Sequence, residues 1–125
     1  MEQQTIVLVT CVAPKHKEAM PAKDLYLGVL FRQLMLYARS IGPDKIFILS
    51  GKHHLLHLDT IIEPYDLNLN TQSETYQQLW ASVVLDQLRG EADLEKDRFV
   101  FLTNATYRKH LTPHINRFEV PMEIK

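Results

Sequence analysis

The run TIVLVT, residues 5–10, carries β-branched and aliphatic side chains without the apolar–polar alternation of a strand that faces water on one side. Such a run belongs in a strand covered on both faces, the usual situation of a parallel sheet between helices. KIFILS (45–50) and RFVFLT (98–103) have the same character. Between the first two, apolar residues recur at Leu27, Leu30, Phe31, Leu34, Ala38 and Ile41, with Arg32, Gln33 and Arg39 opposite. This spacing predicts one amphipathic helix from Asp24 to Ile41, closed by the GPD turn. A second helix is predicted from near Thr71, where Thr71 and Glu74 have the spacing of a capping box, through Tyr76, Leu79, Trp80, Val83 and Leu88 to Gly90. A short helix through Tyr107 and Leu111 ends at TPH, and FEVP (118–121) can supply a fourth, edge strand.

The order is strand, helix, strand, long loop, helix, strand, helix, strand. It predicts an α/β fold in three layers, with a mainly parallel sheet of about four strands flanked by helices. With 125 residues the chain matches one α/β domain over 1–125. No stretch reaches the roughly 18 apolar residues of a membrane span. The N-terminus enters a strand without a basic leader, and Cys11, the single cysteine, has no partner for an intrachain disulfide. These features point to the cytoplasm.

The formal net charge of −1 argues against a sequence-blind nucleic-acid binder with a broad basic surface. The charge is nevertheless uneven. Residues 1–57 hold seven Lys/Arg against four Asp/Glu, residues 58–100 three against nine, and residues 101–125 four against two. Convergence of Lys15, Lys17, Lys52 and Arg108 would make a local anion pocket on a neutral protein.

In open parallel sheets ligands bind beyond the carboxyl ends of the strands. The segments leaving those ends are TCVAPKHKEAMPAKDLY, SGKHHLLHLDTIIEPYDLNLN and TNATYRKH, which hold most of the reactive side chains. SGK exposes Ser50, the Gly51 amide and Lys52, a set suited to a phosphate or carboxylate and equally to a surface turn. In EPYD, Pro64 holds Glu63 extended and restricts Tyr65 and Asp66. Two carboxylates on a short rigid piece can act as a general base or stabilise an oxocarbenium-like charge. They can equally pin the loop by hydrogen bonds. His53, His54, His57 and Asp59 invite a zinc site, but leucines compete for the inward directions, no cysteine pair supports it, and no metal is expected. Cys11, near Lys15 and Lys17, can be a nucleophile or a small core residue. Asn104 can cap the helix that begins at NAT, whose free N–H groups suit an anion.

Three pieces, TCVAPKHKEAMPAKDLYLGVLFRQLMLYA, ILSGKHHLLHLDTIIEPYDLNLN and FLTNATYRKHL, together resemble an uncharacterised bacterial family. Its members typically have S-C-x-x-K-K, P-A-x-D-L-Y, L-S-A-K-Y-G-L-L, E-P-Y-D and a Y-x-x-x-L helix. The pattern falls on Cys11, Lys15, Lys17, Pro21, Ala22, Asp24, Leu25, Tyr26, Ser50, Lys52, Leu55, Leu56, Glu63, Pro64, Tyr65, Asp66 and Tyr107. Thr10 stands where serine is usual, VAP spaces the first lysine differently, and GKHH replaces AKYG. That family is distantly similar to uracil-DNA-glycosylase-like domains, including those of tRNA 7-deazaguanine-modifying enzymes, which implies base or nucleotide chemistry.

The favoured expectation is an enzyme that acts on a nucleobase or nucleotide, a glycosylase-like hydrolase or transferase that cleaves an N-glycosidic bond or transfers a base. Asp66 or Glu63 would be catalytic, Lys15, Lys17, Ser50 and Lys52 would bind substrate, and Tyr65 or Tyr107 would stack on the base. No cofactor is expected. The expected partner is a nucleotide-like molecule or nucleic-acid base, not a membrane, and association of identical chains stays open. The alternatives are a non-catalytic nucleotide-binding or signal-sequestering module and a small interaction subunit.

Overall fold

A computed structural model describes residues 3–10, 16–26 and 28–124. In chain order the elements are β1 (Thr5–Thr10), β2 (Met20–Pro21), α1 (Ala22–Leu25), α2 (Val29–Ser40), β3 (Lys45–Ser50), β4 (His54–His57), β5 (Ile61–Ile62), α3 (Glu74–Arg89), β6 (Arg98–Leu102), α4 (Ala105–Arg108) and β7 (Arg117–Glu119). The main sheet runs β4-β3-β1-β6-β7. The three runs without polar alternation are its centre and pair in parallel, Ile6 opposite Lys45 on one side and Phe99 on the other. The sheet has five strands rather than about four. The extra one is β4, which folds back antiparallel on β3 within the segment expected to be a loop. β7 is the parallel edge strand expected near the C-terminus, and an Arg98–Glu119 ion pair joins it to β6.

Alternation along the central strands separates two apolar layers. Ile6, Leu8, Phe47, Leu49, Phe99 and Phe101 face α3, with Trp80, Val84, Leu88 and Tyr107. Val7, Val9, Ile48, Val100 and Leu102 face α1 and α2, with Leu25, Phe31, Leu34 and Ala38. Two backbone amides at the amino edge donate to carboxylates, Thr5 N to Asp44 at 2.7 Å and Gln4 N to the buried Asp97 at 2.8 Å.

The helices depart from expectation in ways that have local causes. The first is split, because Gly28 at φ 108° breaks the chain between α1 and α2. Leu30 consequently points outward. The second helix starts at Glu74, with the Ser73 hydroxyl accepting from Tyr76 N; Thr71 lies in a preceding 3₁₀ turn. Its inward stripe is Trp80, Ala81, Val84, Leu85 and Leu88, so Leu79 and Val83 face solvent. Trp80 fixes this helix to the sheet by donating from Nε1 to the Ser50 carbonyl at 2.7 Å. Trp80→Phe keeps most of the apolar contact but removes the indole's hydrogen bond to that buried carbonyl. It is expected to lose about 1–3 kcal/mol and several degrees of melting temperature, measured by thermal denaturation.

Candidate functional site

The last residue of β3 organises the carboxyl edge. Ser50 is fully buried, and its Oγ accepts from the Lys52 amide at 3.3 Å and the His53 amide at 3.0 Å while donating to the Tyr65 hydroxyl at 2.8 Å. A hydroxyl has one proton and two lone pairs, so these three bonds fill it. Ser50 therefore closes the turn between β3 and β4 and has no free valence for a ligand. The Tyr65 hydroxyl continues to that of Tyr26 at 2.6 Å, which completes a chain of three hydroxyls from the end of β3 to the end of α1.

This chain pins the segment Glu63–Asp66 against the sheet through its tyrosine. Glu63 and Asp66, on either side of the anchored Pro64–Tyr65, are exposed and form no hydrogen bond or ion pair with a described residue. The segment beyond them is held from the opposite face. Tyr76 donates to the Gly51 carbonyl at 2.9 Å, Gln77 Nε2 donates to the Leu69 carbonyl at 3.1 Å, and the Leu69 amide donates to the Tyr107 hydroxyl at 3.3 Å. Gly51, expected to present its amide to a ligand, is buried, and what approaches it closely is the chain's own 67–69 segment. A Cβ there would lie 3.1 Å from the Leu69 nitrogen and 3.3 Å from the Leu67 oxygen, so the glycine serves packing of the 67–69 segment.

The expected site residues thus fall into groups. Ser50 and Lys52 lie at the end of β3 and Tyr65 reaches it through its hydroxyl, with Glu63 and Asp66 flanking the Pro64–Tyr65 pair in sequence; Lys52 is exposed and its ammonium unpaired among the described residues. Tyr107 does not join them. Its ring is 3% exposed in the layer under α3, edge-on to Trp80 at 5.6 Å between centroids, so it has no open face for a base. Lys17 is exposed in the bend before β2. Lys15 and Cys11 lie outside the described residues. Arg108 is committed, its guanidinium donating to the Thr103 carbonyl at 2.7 Å and to both oxygens of Glu123.

The histidines occupy the β3–β4 hairpin. His54 has φ 64°, the left-handed conformation that glycine adopts without strain, so the backbone keeps that shape although the residue is histidine. The His53 ring stands edge-on to Tyr65 at 5.0 Å, and its buried Nε2 has no hydrogen-bond partner among the described residues. Burial pushes the pKa of His53 down, helped by the nearby charge of Lys52, and burial also lowers that of His54. His57 turns away toward Glu91 at 3.5 Å. Among the described residues no group of three His, Cys, Asp or Glu side chains is placed to hold a metal.

Two polar residues on the other side of the edge were given no role by the sequence argument, which noted Thr10 only as a departure from the usual serine. Thr10 and Thr103 are fully buried, and neither Oγ1 has a hydrogen-bond partner among the described residues. The signal was present: each of the three central runs, TIVLVT, KIFILS and RFVFLT, ends in a hydroxyl residue. By strand alternation Thr10 and Thr103 belong to the α3 side, and Ser50 to the α2 side.

Fold and edge together define a three-layer α/β domain with a polar carboxyl edge, braced on one side by the hydroxyls of Ser50, Tyr65 and Tyr26. The chain belongs to a family of unknown function (DUF6884), whose model matches residues 6–125. No curated protein matches it. No helix among the described residues is long and apolar enough to cross a membrane.

Two expectations follow from the hairpin. The folded state disfavours protonation of His53 and His54, so below their ordinary pKa near 6.5 the unfolded chain binds more protons. Stability is thus complete above about pH 6.5 and declines as pH falls toward the depressed folded values. Melting curves between pH 8 and 5 should show this decline, and His53→Tyr with His54→Gly should flatten it. Glycine at position 54 also relieves the left-handed strain. His54→Gly alone should stabilise by up to about 1 kcal/mol at pH 8, where titration plays no part.

Proposed function

We propose that the protein acts on a nucleotide-like molecule at the carboxyl edge of β3, cleaving an N-glycosidic bond or transferring the base. The observation that carries this reading is the placement of Glu63 and Asp66. Both are fixed through Pro64 and Tyr65 at the end of a strand next to the sheet's centre, and neither has a structural partner among the described residues. Asp44 and Asp97 at the amino edge accept backbone amides, whereas Glu63 and Asp66 accept none from a described residue. The resemblance to glycosylase-like domains suggests the substrate class.

In this reading water adds to the sugar carbon as the base departs with a proton. Asp66 takes the proton from water or faces the positive charge that develops on the sugar, with Glu63 as the second carboxylate. Lys52 offers a cation to the phosphate. Tyr65 positions the carboxylates through its bonds to Ser50 and Tyr26 and does not need to touch the base.

The test is a thermal-shift screen with nucleosides, nucleotides and short oligonucleotides, followed by chromatography for released base. Asp66→Asn should cut turnover about 100-fold or more while leaving the melting temperature within about a degree, because no hydrogen bond is lost. A binder that yields no product would instead identify a non-catalytic nucleotide-binding module. Unchanged turnover in both Asp66→Asn and Glu63→Gln would overturn the assignment.

A further inference from the structure

Six arginines occur in the sequence, and the fold treats them unequally. Arg89 pairs with Asp86, Arg98 with Glu119 and Arg108 with Glu123, and Arg117 donates to Gln3 and to the Lys96 carbonyl. Arg32 and Arg39 have no side-chain hydrogen bond or ion pair with any described residue. They lie seven residues apart on one stripe of α2, with Leu36 between them, and they line the same cavity. Seven residues of helix span about 10 Å.

That cavity encloses about 480 Å³, within the range of roughly 300–1,000 Å³ typical of small-ligand sites. Its floor is apolar and aromatic: Tyr26, Phe31 and Met35 are all buried. Its rim adds His16 and Lys23 to the two arginines, against the single carboxylate of Asp24. Lys23 is paired with Asp59 at 2.8 Å, which raises its pKa, while the charge of Arg39 pulls in the opposite direction. Arg39 is thus close to another positive charge, and although Asp24 lines the same rim, neither arginine forms an ion pair with a described residue. Tyr26 belongs to both this cavity and the hydroxyl chain that ends at Ser50, so the cavity adjoins the candidate site.

We propose that this cavity is a phosphate subsite in which Arg32 and Arg39 bind a ligand bearing two or more phosphates. The inference rests on the nucleotide reading given above and specifies the substrate class: a short single strand or a nucleoside polyphosphate, not a free base. A guanidinium presents a planar fork of donors suited to phosphate oxygens, and two guanidiniums separated by this length of helix can engage successive phosphates. The localised charge is compatible with a net charge near zero, since only one face of one helix is involved.

The experiment uses the full chain and a fluorescein-labelled ten-residue oligothymidylate, with fluorescence anisotropy measured from 50 to 200 mM salt. Each neutralised phosphate contributes about 0.7 to the slope of log affinity against log salt for a single strand. Arg32→Gln and Arg39→Gln should each reduce the slope by about that amount, so this fourfold salt step weakens wild type about 2.6-fold more than either variant. Lys96→Gln, which removes an exposed cation elsewhere, should leave the slope unchanged. Inorganic tripolyphosphate as competitor separates the two sources: displacement at matched phosphate concentration favours the polyphosphate, and its failure favours the strand. Equal slopes in wild type and both arginine variants, a comparable loss in Lys96→Gln, or no binding by wild type would overturn the proposal. Both arginine substitutions are at exposed positions, and circular dichroism confirms folding. If product formation depends on Asp66 while the arginines are silent, the subsite fails and the catalytic reading stands. If the arginines set the slope while both carboxylates are dispensable, the reverse holds.

Discussion

The buried hydroxyl of Ser50 is the interaction on which the carboxyl edge depends. It joins three pieces of chain that approach from different directions: its own strand, the turn at Lys52 and His53, and the Tyr65 segment. The carbonyl of the same residue receives the Trp80 indole, which adds α3 as a fourth. All these groups are wholly or partly buried, where an unmade hydrogen bond costs about 1–3 kcal/mol. Satisfying them together is therefore what gives the hairpin one geometry. The exposed residues beside it, Lys52, Glu63 and Asp66, inherit their positions from this junction although none takes part through its side chain.

The parallel core was legible because doubly buried strands leave a simple trace, an unbroken apolar run. The β4 strand was not, because HLLH carries histidines at both ends and follows a turn whose left-handed residue is His54 rather than glycine. The usual turn signal was missing just where the chain reversed. The split between α1 and α2 was hidden for the opposite reason. The apolar spacing runs smoothly across Gly28, and only a φ of 108° shows the break. At the site, the restriction expected from Pro64 concerned backbone alone, and the Tyr65 hydroxyl's bonds to Ser50 and Tyr26 had no trace in the sequence. The burial of Tyr107 was not, since a tyrosine in a short polar helix gives no sign of the layer its ring will enter. Ser50 was legible as a position and misleading as a ligand group, because its three partners come from residues 52, 53 and 65 only after folding.

Charge is divided in the same manner. Carboxylates at the amino edge, Asp44 and Asp97, are consumed by backbone amides, and Arg98, Arg108 and Arg89 are consumed by carboxylates. What is left without partners among the described residues includes Lys52, Glu63 and Asp66 at one end of β3 and the two arginines along α2. Tyr26 stands between these sets. Their segregation follows from topology: the segments after β3 and before α2 meet over one face of the sheet, so groups far apart in sequence share a neighbourhood.

The sheet order also constrains how the chain reaches its native state. β1 lies in the middle, flanked by β3 and β6, with Ile6 paired to Lys45 on one side and to Phe99 on the other. During synthesis the first pairing and the β3–β4 hairpin can form early, but the other edge of an intensely apolar strand stays unpaired until β6 emerges. An unpaired apolar edge is a template for association with other chains. Such a topology combines slow, non-local closure with a period of exposure. The yield of folded protein should thus be more sensitive to the pace of translation and to chaperones than the stability of the finished sheet would suggest.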